Sequence, residues 1–366
     1  MLRAGIVGLP NVGKTTFFNA VTAQSSGLIS NYPFSSSKAN VGVVAVPDER
    51  LAPLAKLVKT TVIVPASVEF VDIAGLVRGS SKGEGLGNQF LHNIRETDTM
   101  IQVVRCFEDD AVPHVDGSID PRRDIETIQI ELALADLATV ERRRERVQKT
   151  AKSGDKTARA ELEVLDKLQP ALEEFKPAKS VELNAEELAI SRNYFLLTMK
   201  PTIYAANVSE AALSAPEENP QVRAVQEIAT AENSECVIIC ARLEADLVEL
   251  SAEEQQEYLS SLGLKGSGAD QLIKSAYRVL GLMSFLTGGE KEARAWTIPQ
   301  GSRAQDAAGA IHSDIARGFI RAEIVSFDDL TKAGSYAAAR DKGLLRLEGK
   351  DYIMQDGDIV NFRFNV

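Results

Sequence analysis

The chain is short of cysteine. Its 366 residues hold three, Cys106, Cys236 and Cys240, too few and too irregularly spaced for a disulfide framework, and no Cys-x-x-Cys pair marks a zinc site. Buried thiols in a reducing compartment are expected, and Cys236 and Cys240 in CVIIC fit one face of a buried strand. Histidine is as scarce, at three residues, so candidates for a catalytic imidazole are few. Long apolar runs are missing as well. The longest, around Ile101 to Val104, has strand length and falls far below the ~18 residues that cross a bilayer, which excludes a membrane-spanning helix. Basic excess is also absent: 41 Lys and Arg against 52 Asp and Glu leave a formal net charge of -11. The chain does not coat nucleic acid by overall attraction, so any RNA contact needs a local patch. Internal repeats and low-complexity tracts are lacking too.

What is present is a globular composition, 44% hydrophobic, in a chain long enough for two or three compact domains. MLRAGIVGLP runs straight into a glycine-rich motif; removal of a leader peptide would take the first strand with it, and a cytoplasmic location is expected. Short β-rich runs, Ala4 to Val7, Val41 to Val46, Val62 to Val71 and Met100 to Cys106, alternate with helical patterns, the rhythm of a parallel α/β sheet. From Asp124 to Gln148 apolar residues recur at helical spacing through Ile125, Ile128, Leu132, Ala135, Leu137 and Val140. A second helix over Lys156 to Phe175 follows the turn signal Ser153-Gly154-Asp155. Two long helices and a short polar turn predict an antiparallel helical hairpin inserted in the sheet domain, which resumes with strands at Pro201 to Ala206 and Cys236 to Ala241. From about Met283 a small mixed β/α module closes the chain. It reads as ARAWTI, a helix over Ala304 to Arg317 with Ser302 and Gln305 as capping box, FIRAEIVSF, and the strands DYIMQ and DIVNFRFNV joined by a hairpin at Asp356-Gly357.

Gly8-Leu9-Pro10-Asn11-Val12-Gly13-Lys14-Thr15 has the spacing of a phosphate-binding loop. It lies directly after an apolar strand and directly before a helical run opening Thr16-Phe17-Phe18-Asn19. Glycine lets the backbone wrap closely around anionic oxygens, and the helix start offers unpaired amides and a favourable dipole. Asn11, Val12, Gly13 and Thr16 are therefore expected around the nucleotide. Lys14 is expected to reach the β- and γ-phosphates, and Thr15 to place its hydroxyl on Mg2+. Asn11 has two readings, a ligand for K+ beside the phosphates or a stabiliser of the loop.

The run VEFVDIAG ends a strand on Asp72, the candidate metal-site carboxylate, followed by Gly75, whose amide can meet the γ-phosphate. In the succeeding LVRGSSKGEGLGNQF, glycines at 79, 83, 85 and 87 predict a segment ordered by contacts with a triphosphate. Leu76 stands where small GTPases place a water-orienting glutamine and cannot hydrogen-bond water, so catalysis must borrow another group. His114, in the polar loop after the Met100 to Cys106 strand, lies on the carboxyl edge of the sheet and is the candidate; the competing reading is a solvated loop histidine. His92 and His312 read as helix residues. Ser35, Ser36 and Ser37, between the first helix and the second strand, offer hydroxyls for a further Mg2+ ligand.

A guanine-specific site uses Asn-Lys-x-Asp, whose aspartate accepts from N1–H and the exocyclic amine of guanine. Here the strand runs into Asn207-Val208-Ser209-Glu210. Valine replaces the stacking lysine, and the carboxylate is one methylene longer. Adenine has no hydrogen on N1 and carries an amino donor at position 6, so a preference for ATP over GTP is expected, with Asn207 and the backbone near Val208 reading that donor. The alternative is a site open to either purine; an unpaired polar group costs ~1–3 kcal/mol, enough to decide between them. Cys240-Ala241-Arg242 is expected to form the other wall of the base pocket.

Together these residues resemble the YchF, or Obg-like, ATPases over essentially the whole chain. The resemblance lies in GLPNVGKTTFFNA, NYPF…NVGVVAVPDERL, DIAGLVRGSSKGEGLGNQFLHNIRETD, VVRCFEDD, NVSE and RAWTI…AGAIHSDIARGFIRAEIVSFDDL…GLLRLEGKDYIMQDGDIVNFRFNV. It implies an α/β fold: a P-loop NTPase G domain of the Obg type with an inserted α-helical hairpin (coiled coil) and a C-terminal β-grasp (TGS) domain. With the pattern above, residues 1–122 and 199–282 are expected to form the G domain, 123–198 the insertion and 283–366 the TGS domain. The resemblance also implies ATP hydrolysis within a GTPase class, slow intrinsic turnover, association with the ribosome or its large subunit, and Ser36 beside Thr15 as a Mg2+ position. The family usually carries threonine at Ser36; serine keeps the hydroxyl but loses the methyl that restricts its rotamer.

At the hairpin tip Arg142, Arg143, Arg144, Arg146, Lys149, Lys152, Lys156 and Arg159 are the candidate contact with the phosphate backbone of ribosomal RNA. A solvated face paired with nearby glutamates is the alternative. ATP and the ribosome are the expected partners, with no membrane. Two rival functions stay open, an Obg-type GTPase and an adenine-nucleotide-sensing binding module with negligible turnover.

Overall fold

The computed structural model describes residues 2–26, 40–73 and 86–365. β1 (Arg3–Val7) leads through the glycine-rich loop into α1 (Lys14–Ser26); β2 (Val41–Ala45), α2 (Leu51–Val58), β3 (Ile63–Val64), β4 (Ser67–Asp72), α3 (Leu86–Arg95) and β5 (Thr99–Arg105) follow. Helices α4 (Pro121–Lys152), α5 (Lys156–Glu173) and the short α6 (Ala185–Ser191) then interrupt the sheet. It resumes with β6 (Thr202–Asn207), α7 (Pro220–Ala231), β7 (Glu235–Ile239), α8 (Ala241–Leu247), α9 (Ala252–Ser261) and α10 (Gly268–Val279). The strand order is β2-β4-β1-β5-β6-β7. Every residue of β5 and β6 is buried, as central strands covered by helices on both faces must be.

Two expectations for this sheet are corrected. It is mixed, not purely parallel, because β2 lies antiparallel to β4; the intervening α2 packs on the terminal sheet instead of crossing this one, so reversal is the geometry left to the edge strand. The Val62 to Val71 run is not one strand. Ile63–Val64 pairs in parallel with Ala293 and Arg294 of the terminal sheet, and Ser67–Asp72 pairs in the nucleotide sheet. Pro65 divides them, since proline has no amide for a ladder.

α4 begins at Pro121, ahead of the apolar periodicity, because Asp120 accepts from the amides of Arg122 and Arg123 at 3.1 and 3.2 Å and proline suits the first helical position. The turn uses Gly154 at φ 94°, and Asp155 caps α5 by accepting from Ala158 N at 2.8 Å. The two helices share a buried seam of Val140, Val147, Val164, Leu165, Leu168 and Leu172. The root of α4 instead sends Ile125, Ile128 and Leu132 into the cores of the sheet domain, so one helix belongs to two cores.

The terminal module contains β8 (Leu282–Gly288), β9 (Ala293–Pro299), α11 (Ala304–Ile311), α12 (Ser313–Arg317), β10 (Phe319–Ser326), α13 (Phe327–Ala333), α14 (Tyr336–Asp341), β11 (Arg346–Glu348) and β12 (Asp358–Phe364). Its sheet has the order β11-β10-β12-β8-β9-β3, with α11 on a core of Phe285, Ile298, Ala307, Ile324 and Phe362. This is the β-grasp arrangement, in which β12 runs parallel to β8.

Three local expectations fail here. The helix over Ala304 to Arg317 is two helices, because His312 is extended and its Nδ1 accepts from Asp314 N at 3.1 Å, capping the second. Ser302 is not the cap of the first: its hydroxyl donates to Pro299 O at 2.7 Å, and Arg303 takes the cap position. DYIMQ forms no strand with DIVNFRFNV. The Asp356-Gly357 turn binds β8 instead, through Ser284 N to Asp356 Oδ1 at 3.0 Å and Gly357 N to Ser284 O at 2.9 Å.

Candidate functional site

The parallel register sets Ile6 of β1 opposite Asp72 of β4, so Asp72 ends its strand level with the start of the phosphate loop. Close approach explains the glycines of that loop. A Cβ on Gly8 would lie 2.9 Å from both Val103 O and Val12 Cγ2, and one on Gly13, at φ 91°, would run into Asn207 Nδ2. Lys14 opens α1 with its side chain 9% exposed, and its ammonium is paired with Asp72. Thr15 Oγ1 donates to Asp72 Oδ2 at 3.4 Å. A hydroxyl and a carboxylate meeting at a helix N-terminus form the hard oxygen set that suits Mg2+. Ser36, Gly75 and Leu76, with Ser35 and Ser37, lie outside the described residues.

The carboxyl ends of the next strands are also level, with Arg105 opposite Asn207 and Asn207 opposite Ile239. The loops leaving them enclose a cavity of about 610 Å3 against the phosphate loop. Asn11, Gly13, Thr16, Asn207, Val208, Cys240, Ala241 and Arg242 all line it, so the sequence-predicted groups from three distant segments meet. Val12 is buried and touches Gly8 from inside the loop.

The Asn207 side chain also has a structural part in the pocket that it lines. Its Nδ2 donates to Val12 O at 2.8 Å and its Oδ1 accepts from Ala241 N at 2.9 Å, and it is 3% exposed, so it clamps the two loops together. The Val208 amide donates to Ile239 O at 2.9 Å. Glu210 Oε1 accepts from the Tyr258 hydroxyl at 2.9 Å.

One wall, Phe107 to Val112, was not anticipated as part of the pocket. It is shaped by Arg105, which is fully buried in β5 and donates to Phe107 O, Val112 O and Asp109 O at 3.1, 2.7 and 3.3 Å. Its guanidinium also sits 4.5 Å from the Phe107 ring centroid. The signal in the sequence is the single charged residue of the strand TMIQVVR, at its carboxyl end.

His114 is not a solvated loop residue. Its side chain is 3% exposed, with Nε2 2.8 Å from Asp124 Oδ2 and Nδ1 accepting from Asp116 N at 3.1 Å. A carboxylate only accepts and an amide only donates, so the proton is on Nε2. Both ring nitrogens are therefore engaged by protein groups. The loop before it touches the phosphate loop, where Asn11, in the left-handed region at φ 63°, donates from Nδ2 to Pro113 O at 3.0 Å.

At the hairpin tip Arg143 pairs with Glu161 and Arg144 with Asp166, each at 2.6 Å, and Arg159 donates to Ala151 O at 3.4 Å. Arg142, Arg146, Lys149, Lys152 and Lys156 are exposed. They have no ion-pair partner among the described residues. The cysteines are free, and burial pushes the Cys106 thiol far up and the Cys236 thiol to about 11.

A strand, a phosphate loop, a lysine-led helix and a carboxylate on the adjoining parallel strand define a P-loop nucleoside-triphosphate hydrolase with a GTPase-type domain. Residues 3–135 match the family described as 50S ribosome-binding GTPase, and residues 282–365 match the YchF GTPase C-terminal family, described as a protein of unknown function. The chain is 52% identical over 365 residues to the Ribosome-binding ATPase YchF of Bacillus subtilis (strain 168), covering 100% of both proteins. It is also 52% identical to the protein of that name from Escherichia coli O157:H7, covering 100% of this chain and 99% of the other. The structure of the Schizosaccharomyces pombe YchF GTPase superposes with a TM-score of 0.89 at 35% identity, over 99% of this chain and 97% of that one. The chain belongs to the YchF family.

Proposed function

We propose that the chain binds and hydrolyses ATP with Mg2+, prefers ATP over GTP, and acts in the cytoplasm as a ribosome-associated regulatory ATPase. The observation that carries this reading is the meeting of Lys14, Thr15 and Asp72 at the head of α1, beside the cavity lined by Asn11, Val208 and Arg242.

In this reading Lys14 exchanges Asp72 for the β- and γ-phosphates, and the amides at the start of α1 cradle their oxygens. Thr15, Asp72 and Ser36 hold the Mg2+, which when bound offsets the negative charge that moves in phosphoryl transfer. The Gly75 amide meets the γ-phosphate. His114 orients the attacking water that Leu76 cannot, once its Nε2 is free of Asp124. Asn11 keeps Oδ1 for K+ while Nδ2 holds the loop.

The ATP preference rests on Val208 in place of lysine and on Glu210, whose Oε1 is turned to Tyr258. Asn207 lines the base pocket, and the backbone carbonyl at Val208 is the acceptor for the adenine amine. Guanine specificity is a second reading, favoured by the word GTPase in the descriptions of the matching family and of the fission-yeast structure. Competitive titration with ATP and GTP in Mg2+ separates them: tighter ATP is expected, and tighter GTP would install the second reading. Phosphate release is expected to vanish in Lys14→Ala, and wild-type turnover there would overturn the P-loop assignment.

The ribosomal partnership rests on the names of the bacterial relatives, and the exposed cations of the hairpin tip are the surface for ribosomal RNA. The proposed division is a G domain at 1–122 and 199–282, an insertion at 123–198 and a TGS domain at 283–366.

A further inference from the structure

His114 and Asp124 sit on different parts of the fold. His114 is in the loop beyond β5, while Asp124 lies in the first turn of α4 with its side chain 4% exposed. Their 2.8 Å contact ties the loop to the root of the helical hairpin. The second oxygen of Asp124 is separately paired with Arg123, through Nη2 at 3.0 Å and Nε at 3.2 Å. The carboxylate thus keeps a cationic partner if the imidazole swings away, and separation strands no buried charge. The other ring nitrogen, Nδ1, accepts from the Asp116 amide at 3.1 Å. Exposed Lys152 ends the same helix, roughly 40 Å from Asp124 at the α-helical rise.

We propose that Asp124 is a positioning residue that holds His114 off the attacking water, and that binding of a partner to the hairpin releases it. This rests on the water-orienting reading of His114 and adds how that residue is controlled. α4 is suited to the task because Ile125 and Ile128 pack in the sheet domain while Val140 and Val147 pack in the hairpin. A load on the hairpin is therefore felt at the turn that carries Asp124.

The test uses the full chain with Asp124→Asn, Asp124→Glu, His114→Ala and the Asp124→Asn/His114→Ala pair. Steady-state ATP hydrolysis is measured with and without ribosomes. Asp124→Asn is expected to raise basal kcat about tenfold, the scale of one charge-assisted hydrogen bond, with KM unchanged. Stimulation by ribosomes is expected to shrink by the same factor. Asp124→Glu, which keeps the charge, is expected to stay near wild type, and the double variant to fall to the His114→Ala rate. If Asp124→Asn fails to fold, the readout becomes the ring Nε2–H resonance of His114 in the wild type. That proton is expected to exchange slowly with water in the free chain and faster once ribosomes are bound; persistence of full protection in the complex overturns the latch. Lowered or unchanged kcat in folded Asp124→Asn, with His114→Ala slow, overturns the latch alone. Wild-type turnover in His114→Ala overturns the reading of His114 beneath it.

Discussion

Asn207 Oδ1 accepts from the Ala241 amide at 2.9 Å while its Nδ2 holds Val12 O at 2.8 Å. One buried amide therefore fixes the distance between the phosphate loop and the start of α8, the two walls that a nucleotide has to span. Asn207→Ala leaves both partners unpaired, at ~1–3 kcal/mol each. The expected result is weaker binding of ATP and GTP alike, by about tenfold or more, in calorimetric titration. A changed ATP-to-GTP ratio with little overall loss would instead assign the side chain to the base.

Glu244 on α8 is fully buried, with Oε1 accepting from Gly268 N and Ala269 N at 2.8 and 3.2 Å. Burial pushes its carboxyl from 4.5 up to about 7. Between those values the folded chain keeps a proton that the unfolded chain has released, so this group's contribution to stability is full below the lower value and is lost as pH rises through the upper one. Glu244→Gln keeps the Oε1 acceptor without ionising. Unfolding free energies from denaturant titration between acid and neutral pH are expected to fall less steeply than in the wild type, by about 3 kcal/mol over the window. Parallel pH profiles would exclude Glu244 as the source.

Arg50 bridges Asp48 at 2.8 Å and Asp356 at 2.7 Å, joining the start of α2 to the Asp356-Gly357 turn. Asp356 is more than half exposed, which limits the worth of the pair to about 1 kcal/mol. Arg50→Ala is expected to lower stability by that amount and to speed hydrogen exchange at Gly357, whose amide bonds Ser284 O. Unchanged exchange there would show that the β8 contacts hold the turn alone.

Replacing Arg146, Lys149 and Lys152 by serine removes from the hairpin tip three exposed cations that have no ion-pair partner among the described residues. Ribosome affinity is expected to drop, and the slope of log affinity against log salt to fall by about 0.7–0.9 for each phosphate that the tip no longer neutralises, with ATP affinity unaltered. An unchanged slope would move the RNA-binding surface off the tip.

The phosphate loop and Asp72 are legible because each depends on neighbours in the chain: a strand, a glycine spacing, a helix start. The helical hairpin is legible from periodicity, and Asp120-Pro121 marks its true beginning. The Asn207 clamp is not, since it joins residues 195 and 34 positions apart, and no local pattern encodes such a meeting. The Phe107 to Val112 wall is hidden for the same reason, as the buried Arg105 that shapes it looks like a charge out of place until its carbonyl partners fold around it. His114 is recognisable as a candidate from its loop, but its partner Asp124 carries no mark that separates it from any acidic residue in a first helical turn. The failed hairpin at Asp356-Gly357 shows the limit of turn signals, which specify a reversal without naming the strand that receives it.

β3 lends two residues from the nucleotide-binding half to the sheet of the other half, only a few positions before Asp72. Shortening the protein at residue 282, or grafting the remainder from a relative, thus cuts through a shared sheet as well as a linker. A chimaera must carry the Ile63–Val64 strand from the same parent as β9, or Ala293 and Arg294 face a foreign edge.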